Sequence, residues 1–203
     1  MIQKPVLVAA ICLSFLTACT QTKTQREEVL GGSCEDCELL FEGMPKQLFW
    51  RTTISGPDEP GEPLIISGTI YKKDGKTPAP GVILYIYQTD SRGLYSPAPN
   101  QTMAKAHGHL RGWMKTDEQG RYEFKTIRPA PYPNRNDPQH IHPIIYEPGK
   151  GYYWVDDYLF DDDPLLTEQH RIRPPERGGT GIIKLLKSPD GVWMANRDIV
   201  LFF

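Results

Sequence analysis

Between Tyr132 and His142 the chain reads Tyr-Pro-Asn-Arg-Asn-Asp-Pro-Gln-His-Ile-His, with His140 and His142 two residues apart and a tyrosine held between Pro131 and Pro133. In a β-strand, alternate side chains leave the same face, with Cα atoms roughly 7 Å apart. His140 and His142 can therefore turn their imidazoles toward one ion, while Ile141 points the other way, into a core. A tyrosine in a rigid Pro-Tyr-Pro turn can add an oxygen ligand to the same ion. His107-Gly108-His109 repeats the spacing just before Arg111-Gly112-Trp113. That pair either borders the same cleft, with His109 as a substrate contact, or is a polar loop pair beside a glycine. Asp161-Asp162-Asp163 lacks the spaced ligands of a calcium loop and reads as a solvated turn, and Asp156-Asp157 reads in the same way.

The elements that must position these residues read as all-β. Gly and Pro number 18 and 19 in 203 residues and are spread between apolar runs, the texture of short strands and many turns. Leu64 to Tyr71 is strand-like and runs into an Asp74-Gly75 turn. Val82 to Tyr87 is a second run, and Arg121 to Ile127 alternates polar and apolar side chains after the Asp117-Glu118-Gln119-Gly120 turn. Gly181 to Leu186 and Val192 to Phe203, around Ser188-Pro189-Asp190-Gly191, read as a closing hairpin, and only Leu165 to His170 looks helical. The expected architecture is a β-sandwich of mostly antiparallel strands, with long loops bearing a metal site.

Lys plus Arg is 23 against 25 for Asp plus Glu, so no strong field argues for nucleic acid. At the N-terminus, Lys4 precedes the apolar run Val6 to Phe15, which ends in Leu16-Thr17-Ala18-Cys19. The run is short for a membrane span and resembles a lipoprotein signal, with Cys19 as the lipidated residue. The expected organisation is a signal at 1–18, a flexible tether at 19–30 and one domain at 31–203. Such a chain is exported and lipid-anchored to the cell envelope. Thr20 offers no aspartate retention signal, which favours outer-membrane display in a two-membrane cell. Cys34 and Cys37, the remaining pair beyond Cys19, read as a disulfide in an oxidising compartment, since no second Cys-x-x-Cys completes a zinc site.

Gly68-Thr69-Ile70, Asp74-Gly75 and Pro80-Gly81-Val82 are followed by Gln88 to Tyr95, Arg111-Gly112-Trp113, Thr116 to Phe124, and Thr126-Ile127-Arg128-Pro129. After these come Pro131-Tyr132-Pro133, His140-Ile141-His142 and Asp163-Pro164-Leu165. In this order the segments resemble the catalytic core of the intradiol ring-cleavage dioxygenases, the catechol and protocatechuate 3,4-dioxygenase family. The resemblance implies a non-haem Fe(III) held by Tyr95, Tyr132, His140 and His142. Phenolate is a hard anionic donor suited to trivalent iron, and imidazole also suits iron.

The implied substrate is a catechol-like small molecule, with O2. The diol binds through both oxygens and displaces Tyr95 and a hydroxide, which carry off its protons. Oxygen insertion between the two hydroxyl-bearing carbons then leads through an anhydride to a muconate-type diacid. One departure falls in the substrate region. Members commonly carry Arg-Pro-Ala before His-x-His, and this chain has Asp137-Pro138-Gln139. Asp137 thus stands where a cation is expected, and Arg135 is the neighbouring candidate to supply it. A family glutamine is replaced around Asp156 or Asp157. The alternative is a non-catalytic surface β-sandwich lipoprotein that binds a ligand or partner with a retained metal pocket. A homo-oligomer is compatible with either reading.

Overall fold

The computed structural model of the chain describes residues 28–98, 101 and 106–203. The expected signal at 1–18, the lipidation site Cys19 and the tether as far as residue 27 lie outside the described residues. In chain order the strands are β1 (Arg51–Thr53), β2 (Pro63–Tyr71), β3 (Ile83–Gln88), β4 (Arg111–Lys115), β5 (Arg121–Ile127) and β6 (His140–Glu147). They continue with β7 (Gly151–Trp154), β8 (Tyr158–Phe160), β9 (Ile182–Ile183), β10 (Leu186–Lys187), β11 (Trp193–Asn196) and β12 (Ile199–Val200). One short helix, α1 (Glu168–Ile172), sits between β8 and β9, three residues later than the sequence pattern suggests at its start.

The strands form two six-stranded sheets, ordered β1-β5-β2-β11-β10 with β12 beside β2, and β4-β3-β6-β8-β9 with β7 beside β6. Antiparallel pairing predominates, but β1 with β5, β2 with β11 and with β12, and β8 with β9 run parallel. The C-terminal hairpin expected from the sequence is split. Leu186 and Lys187 do pair with Met194 and Trp193, but Ile182 and Ile183 join the other sheet beside Leu159 and Phe160. Two-residue strands carry too little periodicity to show which sheet they join.

Strand β2 shows why the first sheet packs one-sidedly. Leu64, Ile66 and Ile70 are buried while their neighbours are exposed or half-buried, the period of a strand with one face on the core. They meet Leu84, Ile86, Ile141, Ile145, Tyr158 and Phe160 of the second sheet in a shared core. Fully burying one such aliphatic side chain stabilises the fold by about 1.5–3 kcal/mol.

The second sheet is covered on both faces, so β3 reads as a nearly continuous apolar run. Its outer face carries Ile83, Tyr85, Ile144, Tyr146 and Tyr152, which pack against Cys37 and Leu40. Those two come from a single 3-10 turn, Cys37–Phe41, in the N-terminal arm. Cys34 and Cys37 are joined by a disulfide, with Cα atoms 5.5 Å apart. The arm is tied to the sheet by Trp113 Nε1, which donates to the Leu40 carbonyl at 2.6 Å, and by Arg111, which donates to the carbonyls of Leu39 and Glu42.

A cluster of two tyrosines and two histidines

His140 and His142 are the first and third residues of β6, on the outer face of the second sheet, and Ile141 between them is completely buried in the sandwich. The strand alternation expected from the sequence therefore holds. Tyr87 lies opposite His142 in the register of β3 and β6 and stacks on it, with ring centroids 4.6 Å apart. His107 stacks on the far side of Tyr87 at 3.7 Å and receives or gives a hydrogen bond at Tyr85 Oη, 2.9 Å from its Nδ1. Burial, and next the nearby Arg111 charge, pull the His107 pKa down to about 3, so this ring is neutral.

Tyr95 and Tyr132 come from two loops that are fastened to one another. Asp90 accepts hydrogen bonds from the backbone N–H groups of Arg92 and Leu94 and from Ser96 Oγ, which folds the segment leading to Tyr95. Gly93 in that turn has φ 77°, and a Cβ there would lie 2.0 Å from the Pro131 carbonyl oxygen. Only glycine permits so close an approach to the residue preceding Tyr132. Thr89 Oγ1 donates to the Ala130 carbonyl at 2.7 Å, and the Ala130 N–H donates to the Asp90 carbonyl at 3.2 Å. Asn134, in the left-handed region at φ 62°, turns the chain after Tyr132 back toward β6.

The four polar tips converge. Tyr95 Oη lies 2.7 Å from Tyr132 Oη, and Tyr132 Oη lies 3.0 Å from His140 Nε2 and 3.3 Å from His142 Nε2. The outer nitrogens face acceptors: His140 Nδ1 is 2.7 Å from the Pro138 carbonyl, and His142 Nδ1 is 2.9 Å from Asp157 Oδ1. Each Nδ1 therefore carries the proton in the neutral ring, and each Nε2 turns a lone pair toward the Tyr132 oxygen. A single hydroxyl proton cannot serve both. Two lone pairs and two phenol oxygens around one point are the donor set of a cation site, and the residues fit a hard trivalent metal such as iron. Asp157, with His140 and His142, also has atoms within 4.8 Å of one another, but its carboxylate addresses the far side of the His142 ring. It orients that ring.

Burial sets the electrostatics of the cluster. Burial, and then the hydrogen bond with Tyr132, drive the Tyr95 phenol well above its usual value, and burial raises Tyr132 as well. Burial and the neighbouring His142 lower His140. Burial alone would raise Asp157, but attraction to His142 and the hydrogen bond from its ring outweigh it and hold the carboxyl below its usual value.

The remaining sequence candidates are distributed differently. Arg135 and Asp137 pair with each other at 2.5 Å, Arg135 being 65% exposed and its guanidinium 5.1 Å from the Tyr132 ring centroid. The cation expected near the substrate is thus at the rim and already neutralised. His109 does not border the large cavity beside the cluster; its Nε2 binds Glu59 at 2.8 Å and its Nδ1 the Ser96 carbonyl at 2.7 Å, so it clamps the loop behind Tyr95.

Of the three aspartates expected in a solvated turn, Asp161 and Asp162 are exposed in one, as expected, and Asp163 is buried. Asp161 pairs with Arg171 and Asp162 with Arg128, while the buried Asp163 accepts the Gln139 N–H at 2.6 Å. Arg128 Nε also donates to Gln139 Oε1 at 2.7 Å, so the residue before His140 is gripped from two sides. Asp157, read as solvated from its residue pattern and as the replacement of a family glutamine from the resemblance, is the one that reaches His142.

A family model described as Dioxygenase matches residues 45–173, well over half of the chain. Catechol 1,2-dioxygenase 1 of Acinetobacter lwoffii is 29% identical over 150 residues, covering 62% of this chain and 48% of that protein. The protocatechuate 3,4-dioxygenase beta chain of Burkholderia cepacia is 28% identical over 124 residues, covering 58% and 52%. The chain spans about half the length of the curated relatives it matches. Among solved structures, the dioxygenase domain of a dioxygenase–carbohydrate-binding fusion protein from Streptomyces sp. SirexAA-E aligns with a TM-score of 0.57 at 25% identity, covering 79% of this chain and 94% of that one. Matched in sequence through both tyrosine loops and the His-x-His strand, and in fold across most of the sandwich, the chain belongs to the intradiol ring-cleavage dioxygenase family.

Proposed function

We propose that this chain is a non-haem Fe(III) dioxygenase that cleaves a catechol-type ring between its two hydroxyl-bearing carbons with O2, and that Tyr95, Tyr132, His140 and His142 hold the iron. The observation that carries the proposal is the convergence of two phenol oxygens and two Nε2 lone pairs, each histidine being fixed from behind. Iron held there supplies Lewis acidity and a template on which the diol and O2 meet. Tyr132 remains in place through its prolines and balances charge with its phenolate oxygen. Tyr95, across the cluster from the two histidines' strand, serves as the base that takes a proton from the incoming diol at its Oη. Asp157 holds His142 in the tautomer that presents Nε2, and the Pro138 carbonyl does the same for His140.

The environment of the diol differs from the family pattern, because Asp137 neutralises Arg135. Arg135 acts as a rim group that shields the cavity mouth and lies over Tyr132. The proposed setting is an exported chain anchored to the cell envelope through a lipid on Cys19. Leu16-Thr17-Ala18-Cys19 and a disulfide formed in an oxidising compartment support it.

Metal analysis with a visible spectrum, before and after anaerobic addition of catechol, tests the assignment. The expected result is one iron per chain, a phenolate-to-iron band that is lost or greatly weakened in Tyr132→Phe, and a shift of that band with catechol. Iron-loaded protein that consumes no O2 with a broad panel of catechols would sink the enzyme proposal and leave a ligand-binding surface protein.

A further inference from the structure

The cluster opens onto a cavity of about 540 Å3, lined beyond Tyr132, His140 and His142 by Trp154, Leu159, Ile182 and the Pro174-Pro175 pair that follows α1. A dry cavity of about 150 Å3 suffices for benzene, and sites of about 300–1,000 Å3 take drug-sized molecules. A single diol ring at the metal would leave most of this space empty. The polar side chains of the wall indicate what fills it. The lining cations are Arg135, Arg171 and Arg173 and the lining carboxylates are Asp137, Asp156 and Asp157, three against three.

Each arginine also has its own acid, Arg135 with Asp137, Arg171 with Asp161 and Arg173 with Glu176. Each guanidinium at the wall is thus already balanced by a carboxylate of the chain. His170, at the same wall, accepts the Thr167 N–H at Nδ1, 3.1 Å, so its neutral ring carries the proton on Nε2 and can donate to an ether or hydroxyl oxygen.

We propose that the natural substrate is an electrically neutral catechol extended by a second ring, the diol ring lying at the tyrosine–histidine cluster and the second ring between Trp154, Ile182 and the proline pair. The proposal rests on the functional reading above for the place of the diol, but the second ring touches protein only. A carboxylate on the substrate would meet no net positive charge and would have to compete with an existing carboxylate for each guanidinium, whereas an aromatic ring buries against apolar surface. Discrimination between one-ring and two-ring diols therefore belongs to the wall formed by Trp154, Ile182 and the proline pair after α1.

Anaerobic calorimetry with three ligands tests this on both iron-loaded and iron-free full chain: catechol, 3,4-dihydroxybenzoate and 4-benzylcatechol. The expected result is 4-benzylcatechol binding about tenfold or more tighter than catechol in both forms, as burial of one aromatic group predicts. 3,4-Dihydroxybenzoate should bind no tighter than catechol. Thr180→Trp, a bulky change at an exposed position of the wall, should bring the affinities of 4-benzylcatechol and catechol together. Equal binding of catechol and 4-benzylcatechol, tightest binding by the carboxylated ligand, or no binding of 4-benzylcatechol to either form would overturn the proposal. Failure of the chain to take up iron would instead count against the metal assignment, and the ligand ratio in the iron-free form would still decide the cavity's preference.

Discussion

His142 is held between two oxygens: its Nδ1 lies 2.9 Å from Asp157 Oδ1 and its Nε2 3.3 Å from Tyr132 Oη. The carboxylate stands behind the ring and the phenol in front of it, so the imidazole has one orientation and one neutral tautomer. Asp157 reaches this position because β8 pairs with β6 at Ile141 and Tyr158, which brings residue 157 beside residue 142.

Removal of that carboxylate should loosen the metal. Asp157→Ala is expected to lower iron affinity about 10–100-fold, the usual cost of deleting an outer partner of a ligating histidine. Asp157→Asn, which keeps an acceptor oxygen, should fall between Ala and the native chain. Titration of iron against a competing chelator measures both. Unchanged affinity in Asp157→Ala would show that the ring needs no support from behind.

The turn that carries Tyr95 should depend on ionised Asp90. Burial alone would raise its pKa, but hydrogen bonds from Ser96 and Arg92 prevail and bring it to about 2. The unfolded chain has a value of about 3.9. A folded pKa below the unfolded one means that the contribution is fully present above about pH 5 and is lost as pH falls from about 4 through 2, with a size of about 1–2 kcal/mol. Urea denaturation of the native chain and Asp90→Asn should show a stability gap that is largest at pH 6 and narrows steadily as pH falls toward 2. A gap independent of pH would mean that the charge of Asp90 is not what orders the turn.

Gly93→Ala should be costly for a different reason. The residue has φ 77°, and the added methyl would lie 2.0 Å from the Pro131 carbonyl oxygen. Both the backbone strain and the clash push the Tyr95 loop away from the Tyr132 loop. A loss of about 2 kcal/mol or more is expected in chemical denaturation, together with weakened iron binding. Native stability with native iron affinity would contradict the close approach.

Reduction of the Cys34–Cys37 disulfide should have a modest effect. The bridge closes only a four-residue loop, for which chain-entropy arguments give about 2 kcal/mol. Most of the arm's attachment comes instead from Leu40 in the outer apolar cluster and from Trp113 and Arg111. Denaturation midpoints with and without a dithiol reductant, compared with a Cys34→Ser/Cys37→Ser double variant, measure this. Unfolding on reduction would show that the bridge holds the arm alone.

Local pattern was enough for one part of the molecule. The strand period places His140 and His142 on one face and Ile141 in the core, and the apolar runs of β2, β3 and β5 mark the sandwich, because period-two alternation and turn chemistry are properties of neighbouring residues. The order of the tyrosine and histidine motifs likewise carries the resemblance to the family. The assignment of charges to partners was not legible in this way. Arg135 read as a free cation, but Asp137, two residues on, binds it. His109 left two readings open, a substrate contact or a polar loop residue, and Glu59, fifty residues earlier, holds it at the back of the Tyr95 loop. Asp157 and Asp163 read as solvated, yet strand pairing and the turn after β8 bring them to His142 and to the Gln139 N–H.

The sequence by itself thus determined the donor atoms and the strand that aims two of them, since both follow from residue type and spacing. The tertiary structure alone decided which carboxylate stands behind His142, which arginines are already neutralised and how large a space lies before the cluster. Those depend on side chains brought together from distant segments, where a charge's effect is set by whichever partner the fold places beside it.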